Sequence, residues 1–251
     1  MNRQLADYQK DKRVDKIISK GQSYWNALIQ AEDRTILSKQ QKELVDNIVK
    51  SLTAHKHTQK HLRLDEGCYQ LCQLPIYFNY KDISCKALLD LVTIDTNNKT
   101  IQPIDVKTIG DNPKRFVHNA KRFRYDIQAA WYTLAVEHLR SVDINSVISI
   151  DLTDYQILPF KFLVESTVTP GICPLVYTCT EDDIFIGRCG AIAKSTVIRL
   201  NYNKKQIVPV REIHGFEEAI SRYKYYKNTS PEYDKYIADV DGQLTLGLWN
   251  K

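Results

Sequence analysis

Three side chains in this sequence have the types and spacing to do chemistry together. Asp90 stands in Leu88-Leu89-Asp90-Leu91-Val92. Asp105 and Lys107 stand two apart in Ile104-Asp105-Val106-Lys107-Thr108. Side chains two apart on a strand share a face, so Asp105 and Lys107 would look onto one site, with Asp90 on the paired arm. The flanking Leu88, Leu89, Leu91, Ile104 and Val106 set these charges inside an otherwise buried pattern. Buried charges are costly unless paired or bound to metal. Two carboxylates are hard oxygen ligands suited to Mg²⁺ or Mn²⁺. A lysine beside such an ion can hold a phosphate or orient an attacking water. Asp followed by Asp-x-Lys on a hairpin is therefore a constellation for phosphodiester chemistry. The plainer alternative is a set of exposed polar positions on an edge hairpin.

The elements that must position these groups are legible around them. Two apolar runs between Ser84 and Thr108 flank the turn signal Asp95-Thr96-Asn97-Asn98-Lys99, which predicts a β-hairpin. Gln73–Phe78 reads as a strand before it, followed by a turn over Asn79–Asp82. Upstream, Ser38 and Gln41 have the spacing of a capping box, and Leu44, Val45, Ile48 and Leu52 recur at helical spacing. A shorter amphipathic helix is expected around Ser23–Ala31. Downstream, Tyr125–Arg140 reads as a helix in which Gln128 and Tyr132 share a face. That pair could brace a catalytic lysine or touch phosphate; a packed tyrosine beside a surface glutamine fits equally well. Strands are expected over Val147–Leu152, Phe160–Glu165 and Leu175–Cys179. Thr180 then caps a helix running to about Leu200, a further helix spans about Phe216–Lys227, and the apolar Leu244–Trp249 is expected to dock.

Between the hairpin and the Tyr125 helix, Lys114, Arg115, His118, Lys121, Arg122 and Arg124 alternate with Phe116, Phe123 and Tyr125. Cations mixed with aromatics suit a nucleic-acid backbone and its bases. An ordinary charged helix face is the competing account. Beside a phosphodiester site, DNA contact is favoured.

The whole chain bounds these readings. Its 251 residues suit one domain or one domain with extensions, and an apolar fraction of 43% can fill a core. A net charge of +5 fits a protein that meets a polyanion. No apolar run is long enough to span a membrane, and no signal-like N-terminus is present. The six cysteines match no common metal spacing or disulfide framework, so free thiols in a reducing cytoplasm are expected. His55, His57 and His61 cluster at the end of a helix, and a solvated helix end is favoured over a metal site.

Leu89-Asp90, Ile104–Thr108 and Tyr125-Asp126-Ile127-Gln128-Ala129-Ala130-Trp131-Tyr132 together resemble three ordered motifs of the RecB-like PD-(D/E)XK nucleases. The likeness is closest to the exonuclease VIII (RecE) nuclease domain and related phage exonucleases, and runs from about Leu62 onward. It implies an α/β PD-(D/E)XK nuclease fold, a mixed central β-sheet flanked by helices. Residues 1–61 would form an N-terminal helical region and residues 62–251 the nuclease core. It implies that Asp90, Asp105 and the Val106 carbonyl bind Mg²⁺ or Mn²⁺, that Lys107 positions water or stabilises phosphate, and that Gln128 and Tyr132 support the site. Where the family has an upstream glutamate, this chain has Gln73, which offers a carbonyl oxygen without charge; Glu66 is the alternative donor. DNA is the implied partner, with Lys114, Arg115, Lys121, Arg122 and Arg124 gripping it. Such enzymes form homo-oligomeric rings and act with a single-strand annealing protein. The implied activity is exonucleolytic resection of linear DNA in phage-type recombination, with an endonuclease or a catalytically weakened DNA-binding relative as alternatives.

Overall fold

The computed structural model describes residues 2–32, 34–140, 150–172, 174–192, 198–201, 204–207 and 212–229. Elements follow in the order α1 (Asn2–Ala31), α2 (Lys39–Ala54), α3 (Gln59–Leu62), β1 (Cys68–Tyr80), β2 (Ile83–Asp95) and β3 (Thr100–Ile109). A single 3₁₀ turn (Pro113–Arg115) leads into α4 (Phe116–Phe123) and α5 (Tyr125–Leu139). Then come β4 (Gln156–Ile157), β5 (Lys161–Ser166), β6 (Leu175–Thr178), α6 (Glu181–Cys189), β7 (Ala191–Ile192), β8 (Ile198–Asn201), β9 (Lys204–Ile207), β10 (Glu212–Ile213) and α7 (Phe216–Thr229).

The chain divides into two compact units, Met1–Val49 and Lys50–Lys251. In the first, α1 extends well beyond the helix expected at Ser23–Ala31, and α2 begins at the Ser38 capping box. Gln41 N–H donates to Ser38 Oγ at 3.2 Å, and Ser38 N–H donates to Gln41 Oε1 at 2.8 Å.

The second unit is mixed α/β. Its central sheet is mostly antiparallel, in the order β1-β2-β3-β5-β6, with β4 also pairing β3. Only the β3–β4 and β3–β5 pairs are parallel. The predicted hairpin is β2–β3, and β1 makes a second, longer hairpin with β2 through Lys81 and Asp82. Both turn residues have positive φ, 49° and 61°, as tight hairpins between right-twisted strands require. Helix α5 lies across β1, β2 and β3. Its Ala130, Leu134, Ala135, Val136 and Leu139 close one core with Leu74, Ile76, Phe78, Ala87, Leu89, Val92, Ile94 and Ile101. A second cluster joins Phe116 of α4 to Phe160, Phe162 and Val164. Helix α6 crosses α5 closely because Gly187 has no Cβ; one would stand 2.1 Å from the Asp126 carbonyl.

Two elements differ from expectation over the described residues. Of Val147–Leu152, residues 147–149 lie outside the described residues and residues 150–152 form no strand. Asp151 instead accepts hydrogen bonds from the Thr153 N–H and hydroxyl, a local turn that competes with pairing. The helix after Thr180 keeps its predicted cap, which the Asp183 side chain completes, but stops at Cys189 rather than near Leu200. Gly190 (φ 80°) ends it, where any Cβ would meet the Ile213 carbonyl at 2.3 Å. Residues 244–249 lie outside the described residues.

Candidate active site

The site forms where two strands part. β2 and β3 pair from Asp95↔Thr100 to Leu91↔Ile104, and their ladder stops there. The next rung would bring Asp90 opposite Asp105. In its place, the Val106 N–H donates to Asp90 Oδ2 at 3.2 Å, so a carboxylate takes the bond that a neighbouring strand would have taken. Beyond the split β3 is held by β5, from Ile104↔Lys161 to Ile109↔Ser166.

The apolar pattern changes phase at the same level. Ala87 and Leu89 of β2 face the core, and so do Val92 and Ile94, which have the opposite parity. On β1, Leu74, Ile76 and Phe78 face it together with Leu71. The residue at the β1 phase change is Gln73, with φ of 50°. The other non-glycine residues with positive φ lie at helix ends or turns; among the described residues Gln73 alone stands inside a strand. A left-handed non-glycine residue costs about 1 kcal/mol or more. Here it turns the Gln73 amide onto Asp90 Oδ1, to which Nε2 donates at 3.1 Å.

Asp105 is the buried member, 2% exposed. Its Oδ1 accepts from Gln128 Nε2 at 2.8 Å, and its Oδ2 is 2.8 Å from Lys107 Nζ. Oδ2 is thus a buried carboxylate oxygen whose neighbour is the Lys107 ammonium. Burial pushes the Asp105 carboxyl up to about 6; Lys107 opposes the shift and Asp90 adds to it. Lys107 also lies over the Tyr125 ring, 4.8 Å from its centre. The ammonium is thus flanked by a carboxylate and an aromatic face, both of which attract it.

Asp90, Asp105 and Lys107 thus converge, with Gln73 and Gln128 each donating to one carboxylate. Tyr132 packs into the apolar clusters, its ring 6.1 Å from that of Phe160. Glu66 stands at the far end of the hairpin, where its carbonyl accepts from Asn97 Nδ2. Of the two alternative donors, Gln73 is the one beside Asp90.

Two carboxylates, one of them buried, fit a hard divalent cation, with the Val106 carbonyl and Gln73 as neutral oxygen donors. Among the described residues no three His, Cys, Asp or Glu side chains gather to hold a metal, so this pair relies on neutral donors to fill its shell. Burial, Lys161 and Lys60 push His61 down to about 4, which keeps its imidazole neutral, but among the described residues it joins no group of three such ligands. The five described cysteines are free.

The basic segment resolves into separate roles. Arg115 pairs with Asp111 at 2.7 Å, and Arg124 (φ 54°) pairs with Asp126 at 2.7 Å, fixing the bend from α4 into α5. Lys114, His118, Lys121 and Arg122 are exposed. Phe116 is 2% exposed and stacked in the core, so it offers no face to a ligand. Sequence reasoning missed Tyr125 as the neighbour of Lys107. Its spacing of three from Gln128 places both on one helix face, which is the signal that identifies it.

No family model and no curated protein matches this chain. Among solved structures, it is similar to a "Putative exonuclease" from Eubacterium rectale at 12% identity and a TM-score of 0.38. The match covers 69% of this chain and 59% of that one, and a likeness so loose carries no argument about activity.

Proposed function

We propose that this chain is a metal-dependent deoxyribonuclease with a PD-(D/E)XK-type site, hydrolysing phosphodiester bonds of linear DNA. The observation that carries the reading is the convergence of Asp90, Asp105 and Lys107 at the parting of β2 and β3, with the Asp105 carboxylate buried against the Lys107 ammonium. Asp90, Asp105 and the Val106 carbonyl would hold Mg²⁺ or Mn²⁺. When bound, such an ion polarises the phosphate and makes water a nucleophile near neutral pH. The chain's own groups do the rest. Gln128 fixes the Asp105 carboxylate by its 2.8 Å bond. Lys107, pinned by Asp105 and Tyr125, directs its ammonium toward an incoming phosphate oxygen or the attacking water. Exposed Lys114, Lys121 and Arg122 would meet the phosphate backbone. Exonuclease action in phage-type recombination, a ring of copies and a single-strand annealing partner are carried by the motif resemblance.

One observation favours a second reading. Gln73 presents an amide, not a charge, to Asp90, and a weaker cation site would leave a DNA-binding protein with little turnover.

The test uses linear duplex DNA labelled at either the 5′ or the 3′ end, beside a covalently closed circle, with Mg²⁺, Mn²⁺ or chelator. Metal-dependent loss of the linear DNA alone, absent in Lys107→Ala, is expected. Cutting of the circle would make the activity endonucleolytic. A folded wild type that cleaves nothing with either metal would overturn the nuclease reading.

A further inference from the structure

Phe123 ends α4 with 55% of its surface exposed. It does not hang free of structure. Its ring lies 5.9 Å from Tyr125, tilted by 30°, and Tyr125 in turn stacks on buried Phe116 at 5.6 Å. The Arg122 guanidinium lies 5.3 Å from the centre of the Phe123 ring. An aromatic column thus rises from the core and ends in a largely exposed ring with a mobile-ended cation over it that a base can displace. The column also passes the site, because Lys107 sits over Tyr125, 4.8 Å from its centre. Those two distances put the Phe123 ring no more than about 11 Å from the Lys107 ammonium, within reach of a nucleobase whose phosphate lies at Lys107.

We propose that Phe123 is a stacking platform for an unpaired nucleobase next to the reacting phosphate, so that the substrate is DNA with a frayed or overhanging end rather than a flush one. The inference rests on the nuclease reading for the position of the phosphate. The physical ground is that an interior duplex base has both faces covered by its neighbours, whereas an unpaired base offers a free π-face. Base–aromatic stacking is tolerant of sequence and strong enough to select. Arg122 adds a cation that serves the ring and the backbone together. Phe116 and Tyr125 cannot substitute, since one is buried and the other carries Lys107.

The test is binding of the full chain, in chelator so that nothing is cut, to three oligonucleotide probes: a flush duplex, the same duplex with mismatched terminal pairs, and a single strand. Each carries 2-aminopurine near its end. Wild type is expected to bind the frayed and single-stranded probes about tenfold or more tightly than the flush one, and to quench the 2-aminopurine. Phe123→Ala should lose both the preference and the quenching while its thermal melt stays close to that of wild type, and Phe123→Trp should keep both. Equal binding of all three probes by wild type, or a Phe123→Ala protein that still discriminates, overturns the inference. If metal-dependent cleavage lost in Lys107→Ala accompanies that result, the nuclease reading survives without it. If discrimination depends on Phe123 but no metal supports cleavage, the platform stands and the nuclease reading falls. No binding to any probe removes both.

Discussion

At the scale of the residue, Asp105 concentrates the energetics of the site. Its carboxyl titrates near 6, above its ordinary value, because burial outweighs the help of Lys107. In metal-free protein the folded state therefore keeps a proton that the unfolded chain releases between about pH 4 and 6, so stability falls as pH rises through that window and then levels. Asp105→Asn removes the buried charge and keeps an oxygen for Gln128. In chelator, this variant should be more stable than wild type by about 1–2 kcal/mol above pH 6, with the gap closing by pH 4. Thermal melts across that range check it, and a gap that does not move with pH would contradict the assignment. Cleavage should be abolished in the same variant. The sequence announces Asp90, Asp105 and Lys107 because charges interrupt apolar runs there. It does not announce the left-handed turn of Gln73, since glutamine carries no signal for positive φ. Nor does it mark Phe116 as core and Phe123 as surface, since only the packing of α4 on β5 tells them apart.

At the scale of the element, α7 is tied to the tip of the β1–β2 hairpin by a knot of polar groups. Glu217 accepts from Tyr80 at 2.6 Å, Lys81 at 2.8 Å and Arg188 at 2.9 Å, and Lys224 meets Asp82 at 3.2 Å. Lys81, Tyr80 and Arg188 hold the Glu217 carboxyl down to about 2. Its contribution to stability is therefore present above the ordinary carboxyl range near 4.5 and is lost as pH falls toward 2. Solvent reaches the knot and screens it, so Glu217→Gln should cost only about 1 kcal/mol near neutral pH and low salt, and nothing near pH 2. Hydrogen exchange should speed up in the α7 amides first; unchanged protection there would rule out an anchoring role. The β2–β3 hairpin, the start of α2 and the span of α5 were legible because period and punctuation agreed. The strand expected at Val147–Leu152 was not found over residues 150–152, where Asp151 builds a turn from its own neighbours. The end of α6 was missed because one glycine at a chain crossing outweighs a run with helical pattern.

At the scale of the molecule, a charge of +5 is modest, and under the proposed function the part of it that would meet DNA is the handful of exposed cations on α4 and the turn before it. Lys121→Ala should weaken binding to every DNA sequence alike and lower the dependence of log affinity on log salt by about one. An unchanged slope would remove Lys121 from the interface. No helix among the described residues is long and apolar enough to cross a membrane. The order β1-β2-β3-β5-β6 also leaves β1, a strand of 13 residues, at the margin of the sheet. A margin of that length exposes a row of amides to any extended chain that passes, which is the usual beginning of unwanted fibrous association. The kink that aims Gln73 at Asp90 breaks this row, and Pro75, two residues on, withholds a donor from it. The distortion that shapes the candidate site thus also makes the strand a poorer template for edge-to-edge association.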